Sequence, residues 1–188
     1  IAIGPGLGQS AWSEQLLQRV HWEAEERNVP VIMDADALNL LTKLKLSSKL
    51  PKNLIITPHP GEASRLLKTD VDDIEVDRFK STLRLQEKFN ATVVLKGAGS
   101  IIGYKKNGKM KYGVCSAGNP GMAKGGMGDV LTGIIAGLVA QGFALNEAAE
   151  IGVDLHSKAA DLASVEMGEI GFIPTDVIDA MRELVRYD

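Results

Sequence analysis

The sequence predicts an α/β fold built on a mostly parallel sheet, and three observations carry that expectation. Short apolar runs, residues 29–33 and Leu54–Ile56, lack polar alternation and read as strands covered on both faces, and Thr92–Leu95 reads as the next strand. Longer segments with apolar residues at helical spacing lie between them, and strands alternating with helices imply a layered architecture. Polar loops follow Ile3, Met33, Ile56, Leu95 and Val114. Ligands of open α/β sheets bind beyond the carboxyl ends of the strands, so these loops should share one edge and line one cleft.

Each element follows in order. Residues 1–3 read as a strand end entering the loop Gly4-Pro5-Gly6-Leu7-Gly8. A helix is expected over residues 10–27, with Trp12, Leu16, Leu17 and Val20 at helical spacing. After the strand at 29–33, Asp34-Ala35-Asp36-Ala37-Leu38-Asn39 turns into a short helix. Leu54–Ile56 ends at Thr57-Pro58-His59-Pro60-Gly61-Glu62, and helices are expected over 61–67 and 76–89. Beyond Thr92–Leu95, residues 100–104 and 109–114 flank Lys106-Asn107-Gly108, a hairpin signal because both central turn positions need positive φ. A glycine-rich stretch at 118–128 precedes a helix starting near Gly126 and reaching about residue 140. The apolar run at 130–139 marks this helix as buried, with Gly133 and Gly137 on one face for close packing. A helix over 146–166 and a last helix, capped by Thr175 or Asp176 and reaching residue 186, complete the chain.

A length of 188 residues suggests one domain, and 45% hydrophobic with 24% charged residues is ordinary for a globular protein with a sizeable core. The net charge of −3 speaks against a nucleic-acid or anionic-membrane partner. One cysteine, Cys115, leaves no disulfide or multi-thiolate zinc site within the chain, which fits a cytoplasmic location. The longest apolar segment falls well short of the ~20 residues that cross a bilayer. The chain opens without methionine, as a strand arriving at a loop, so the domain spanning 1–188 is expected to be incomplete at its N-terminus.

Two motifs are near misses. Gly4 to Gln9 would be a dinucleotide fingerprint if glycine stood at Gln9. The loop is then either a plain tight turn or a place of close backbone approach to a ligand. Gly103, Gly108 and Lys109 match a phosphate loop, but Met110 replaces the hydroxyl that would hold magnesium, and the hairpin explains the stretch.

Other constellations point to chemistry. In residues 57–62 two prolines stiffen a strand end, His59 can hydrogen-bond a polar ligand, and Glu62 can hold magnesium through water. The alternative is a proline turn with Glu62 at a helix N-terminus. Lys96-Gly97-Ala98-Gly99-Ser100 can turn backbone amides toward an anion, or be a simple loop before the hairpin. His21 and His156 lie on helices and are not expected to act in catalysis. Residues 118–128 can gather main-chain N–H groups into one nest, completed by the free N–H groups of the next helix. Asp129 is a poor choice beside a phosphate for binding alone. It suits a base that orients a hydroxyl attacking that phosphate; the alternative is a helix cap.

With GPGLG (4–8), DADALN (34–39), TPHPGE (57–62), KGAGS (96–100) and GNPGMAKGGMGD (118–129) in this order, the chain resembles the ADP- or ATP-dependent NAD(P)H-hydrate dehydratases of the ribokinase-like superfamily. The resemblance implies a ribokinase-like three-layer sandwich. It implies repair of hydrated NADH or NADPH at the expense of ADP or ATP, with Mg2+. Carried over, Lys96, Gly97, Ala98, Gly99, Ser100, Asn119, Gly126 and Gly128 would bind the nucleotide. Gly6, Asp36, Asn39, His59 and Asp129 would bind the hydrated cofactor, Asp129 being catalytic, and Glu62 would serve the metal. Lys124 stands where relatives carry a small polar residue and adds a candidate phosphate contact. Relatives imply a homo-oligomer, fused to or paired with an epimerase. A ribokinase-like kinase of a vitamin-precursor alcohol and a non-catalytic nucleotide-binding module are the competing readings.

Overall fold

The computed structural model describes residues 1–44 and 50–186. Six strands form one sheet in sequential order: β1 (Ala2–Ile3), β2 (Val31–Met33), β3 (Leu54–Ile56), β4 (Thr92–Leu95), β5 (Ile101–Lys106) and β6 (Lys109–Val114). The first four are parallel, and Ile3, Met33, Ile56 and Val93 stand in register across them. β5 and β6 fold back as an antiparallel hairpin turned by Asn107 and Gly108, whose φ values are 52° and 74°. Leu95 pairs with Ile101 and Ile101 with Val114, so β6 ends at the same edge as β4. The five expected loops therefore do share one edge.

The helices, in chain order, are α1 (Ala11–Arg27), α2 (Ala35–Lys43), α3 (Pro60–Leu67), α4 (Val71–Val76), α5 (Arg78–Phe89), α6 (Met127–Ala140), α7 (Leu145–Gly171) and α8 (Pro174–Leu184). Side chains alternate across the pleat, which divides them between two layers. Val31, Met33, Leu54, Ile56, Val93 and Leu95 pack with Leu17, Leu38, Leu66, Ile74 and Leu85 from α1 to α5. Ile32, Ile55 and Val94 face the other way, onto Leu131, Ile135, Ala149 and Val153 of α6 and α7. Each such fully buried aliphatic side chain contributes about 1.5–3 kcal/mol. Met127, Ala160, Phe172 and Val177 form a third cluster that seats the start of α6 against α7 and α8. Helices on both faces of the sheet make the expected three-layer sandwich.

Three local expectations need correction. The helix expected from residue 76 is two helices, since Val76 ends α4 and Asp77 breaks the run at φ −145°, ψ 85° while capping Lys80 N at 2.9 Å. α4 has an acidic sequence and buries Ile74 alone, so it carries no apolar period to read. The last helix is capped at Ile173, with Pro174 at its first position and Asp176 accepting from Ile173 N at 2.7 Å; it stops at Leu184. α6 is buried on one face, not all round. Gly133 and Gly137 are exposed, and apart from the helix's own backbone and the neighbouring residues no described atom lies within 4 Å of where their Cβ would stand. Among the described residues no helix is long and apolar enough to cross a membrane.

Candidate functional site

The loops after β2, β3 and β4 meet the N-terminus of α6 at a buried polar cluster. Asp34, at the end of β2, has a side chain only 2% exposed. Lys96 Nζ, just beyond β4, donates to Asp34 Oδ1 at 2.8 Å, and Thr132 Oγ1 of α6 donates to Oδ2 at 2.9 Å. Gly128 lies directly against this pair: a Cβ there would stand 3.3 Å from Lys96 Nζ and 3.4 Å from Asp34 Oδ2. Glycine thus lets the first turn of α6 approach the lysine. Lys96 Nζ is also 3.8 Å from Glu62 Oε2.

His59 and Glu62 are joined by a capping box at the start of α3. His59 Nδ1 accepts from Gly61 N at 3.0 Å, and Glu62 Oε2 accepts from His59 N at 2.8 Å. The capping alternative is thus realised for one carboxylate oxygen. Oε1 lies 3.6 Å from His59 Nε2. Burial lowers the His59 pKa, opposed by the Glu62 carboxylate and assisted by Lys96. His59 remains half exposed and can still meet a ligand.

In the loop 118–126 the amides divide into two groups. Gly118 N donates to Asp161 Oδ2 and Gly121 N to Asn119 Oδ1, at 2.9 and 3.0 Å, while Asn119 Nδ2 donates to Asp161 Oδ1 at 2.9 Å. Met122, Ala123 and Lys124 N bond to carbonyls of the same turn. Among the described residues, the N–H groups of Gly125, Gly126, Gly128 and Asp129 have no protein acceptor. The nest expected over 118–128 therefore narrows to its second half, where Gly126 at φ 89° swings the chain into α6. These are the amides that the helix dipole makes electropositive.

Asp129 is exposed in the first turn of α6. Among the described residues its carboxylate has no hydrogen bond or ion pair, and no capping box forms there. The cap alternative for Asp129 is therefore not realised, and the carboxylate is available to a ligand.

Other expected residues are placed at the same edge but already have partners. Asp36 accepts from Gly8 N at 2.9 Å and from Gln9 Nε2 at 3.1 Å, tying down the first glycine loop. Asn39 Oδ1 accepts from Arg65 Nε at 2.9 Å. Gly6 is exposed there, with no described atom beyond its chain neighbours within 4 Å of its Cβ position, and so is open to a ligand. Lys124 gives no phosphate contact. Its Nζ donates to the carbonyls of Glu169, Ile170 and Phe172 at 3.1, 2.9 and 2.6 Å, beyond the break in α7 at Gly168, where φ is 72°. His156 of α7 is buried next to the Met127 main chain, its Nε2 without a hydrogen-bond partner. Burial first, then nearby Lys96, pushes its pKa down to about 4, so it is neutral at pH 7.

Sequence reasoning missed Asp34, Thr132 and Asp161. For Asp34 a signal existed, since it is the first polar residue after a fully buried strand. Thr132 and Asp161 lie inside helices and carry none. Among the described residues no three His, Cys, Asp or Glu side chains form a metal cage. Magnesium with a nucleotide needs no such cage, because it keeps waters and takes phosphate oxygens beside one or two carboxylates. Glu62 Oε1 fits that outer role, whereas both oxygens of Asp34 are occupied.

Known proteins are similar to this chain in sequence and in fold. Over 98% of its length the chain is 49% identical to the bifunctional NAD(P)H-hydrate repair enzyme Nnr of Coxiella burnetii, of which it spans 36%. It is 39% identical to the ADP-dependent (S)-NAD(P)H-hydrate dehydratase of Neisseria meningitidis, covering 97% of this chain and 61% of that one. The Bacillus subtilis ADP/ATP-dependent NAD(P)H-hydrate dehydratase, co-crystallised with ATP and Mg2+, superposes with a TM-score of 0.82 at 31% identity, covering 98% and 64% of the two chains. The sandwich is the ribokinase-like fold. The chain thus spans less than two thirds of these relatives, but the family model for NAD(P)H-hydrate dehydratase matches residues 1–183, and the chain belongs to that family.

Proposed function

We propose that the protein restores hydrated NADH or NADPH to the reduced cofactor, consuming ADP or ATP together with Mg2+. The observation that carries this reading is the approach of Gly128 to the Lys96–Asp34 pair. It brings the first turn of α6, with its unpartnered amides, against a cation, and the exposed Asp129 is the next residue of that turn. A terminal phosphoryl group bound there meets N–H donors and an ammonium on one side and a carboxylate on the other. Asp129 takes the proton from the ring hydroxyl as its oxygen attacks phosphorus, and the bond from phosphorus to the nucleotide's bridging oxygen breaks. The phosphate ester formed is a better leaving group than hydroxide. It departs with the C–O electrons, and loss of a proton from the adjacent ring carbon restores the dihydropyridine.

Lys96 and the amides of residues 97–99, 125, 126, 128 and 129 hold the nucleotide and stabilise the charge on the moving phosphoryl group, an effect worth several kcal/mol in such sites. Glu62 receives Mg2+, which supplies charge neutralisation at the phosphates. Gly6, Asp36, Asn39 and His59 border the hydrated cofactor. We place the protein in the cytoplasm as a homo-oligomer, fused to or working beside an epimerase that interconverts the hydrate's two forms.

The test supplies hydrated NADH with ADP or ATP and follows recovery of reduced-nicotinamide absorbance with release of phosphate. Recovery dependent on nucleotide supports the reading. A stable phosphomonoester of another small alcohol would point to a ribokinase-like kinase, and nucleotide binding without consumption to a non-catalytic module.

A further inference from the structure

Residues 95–99 show an uneven use of their backbone. Arg78, the first residue of α5, reaches the inside of the turn. Its Nη1 donates to Ala98 O at 2.7 Å, and its Nη2 to Leu95 O at 3.2 Å and Lys96 O at 3.3 Å. Ser100 Oγ donates to Gly97 O at 3.3 Å. Every carbonyl from Leu95 to Ala98 therefore has a side-chain donor on the inner side. The amides are treated differently. Lys96 N bonds to Pro58 O at 2.9 Å, but among the described residues the N–H groups of Gly97, Ala98 and Gly99 have no protein acceptor. A peptide's N–H and C=O point in opposite directions, so fixing the carbonyls inward turns these amides outward, toward the cleft.

The fit is tight. The Arg78 side chain is 16% exposed, and Gly97 lies against it at φ 150°, where a Cβ would stand 2.7 Å from Nη2. The planar fork of a guanidinium serves several carbonyls at once, which an ammonium cannot do as well.

We infer that Arg78 is a positioning residue for nucleotide binding: by gripping the carbonyls of Lys96 and Ala98 it orients the amides of Gly97 and Gly99, the other halves of those peptides, toward the nucleotide, while Ser100, holding Gly97 O, sets the amide of Ala98. It works through the loop and does not touch the reacting atoms. This inference rests on the proposed nucleotide role of residues 96–100.

The test uses the full-length gene product as wild type, Arg78→Lys and Arg78→Gln. Each is titrated calorimetrically with ADP and with ATP and assayed for turnover of hydrated NADH. For Arg78→Gln the nucleotide Kd and KM should rise about tenfold or more, while kcat and the KM for hydrated NADH change less than about threefold. Arg78→Lys keeps the charge but loses the fork, so it should fall between Arg78→Gln and wild type. A residue that only stabilised the fold would lower Tm without this split between nucleotide KM and kcat. A folded Arg78→Gln with wild-type nucleotide affinity would overturn the inference. If Arg78→Gln does not fold, wild-type affinity in Arg78→Lys would do so instead. Wild type that binds nucleotide but never restores hydrated NADH would sink the proposed function and leave the role of Arg78 to be read from Kd. Wild type that binds neither ADP nor ATP would overturn both.

Discussion

In the loop 96–100 the carbonyls of residues 96–98 are tied down by side chains and the amides of 97–99 are left over; in residues 118–124 the amides of 118 and 121–124 are tied down. Both loops are rich in glycine, and both leave a strand at the same sheet edge. The first is gripped from behind by a cation, Arg78, which satisfies acceptors. The second is gripped by an anion, Asp161, which satisfies donors. Glycine content alone therefore does not make an anion site. What decides is which half of each peptide the surrounding side chains consume. In the second loop a run of free donors reappears at Gly125, Gly126, Gly128 and Asp129, where the start of a helix leaves N–H groups without partners.

The largest effect that tests this division is at Asp129. If the second loop contributes chemistry and the first contributes binding, Asp129→Ala should lower kcat by roughly a thousandfold, or about 4 kcal/mol. Nucleotide Kd, measured by calorimetry, should stay within about threefold. A near wild-type rate would remove Asp129 from the reaction.

Next comes the joint between the loops. Asp34→Ala strips the partner from a largely buried Lys96 and the acceptor from Thr132. Leaving such a charge uncompensated costs about 3–5 kcal/mol, so chemical denaturation should show a large loss of stability. The double variant Asp34→Ala, Lys96→Met should recover part of it, because no orphaned charge remains.

How much of this was legible beforehand follows from the range of the interactions. The sheet was readable because Val31–Met33 and Leu54–Ile56 are apolar at every position and Thr92–Leu95 at every position after Thr92, a local property. The motifs at 57–62, 96–100 and 118–129 were readable because each keeps its glycines, prolines and polar residues contiguous. The wiring was not. Arg78 meets its carbonyls 17 to 20 residues away, Asp161 meets Gly118 across 43, and Lys124 meets Phe172 across 48. Nothing in the residues near either end announces such pairs. Lys124 illustrates the cost: within its own glycine loop it looks like a phosphate ligand, and the carbonyls that claim it arrive from the end of α7.

His156 touches both sides of the comparison, the Met127 main chain at the start of α6 and the field of Lys96. Its folded pKa of about 4 lies below the ordinary 6.5, so the unfolded chain binds more protons between these values. Stability should therefore fall as pH drops from about 6.5 toward 4, by roughly 3 kcal/mol from this one group. His156→Gln should flatten that part of a plot of Tm against pH. An unchanged slope would mean that His156 protonates without cost.

The smallest effect separates the loops most sharply. Lys124 and Arg78 both donate to three carbonyls, yet the carbonyls of Lys124 belong to the end of α7 and not to the peptides that carry the free amides of its own loop. Its ammonium also lies 4.5 Å over the Phe172 ring. Lys124→Met keeps much of the aliphatic packing and removes the donors, leaving carbonyls that water can partly reach. A loss of about 1–2 kcal/mol in stability is expected. Nucleotide affinity should not move, because the amides at Gly125–Asp129 are directed by Gly126 and by α6 rather than by Lys124. If Lys124→Met weakened nucleotide binding as strongly as Arg78→Gln, the two cations would be doing the same job, and the contrast between the loops would dissolve.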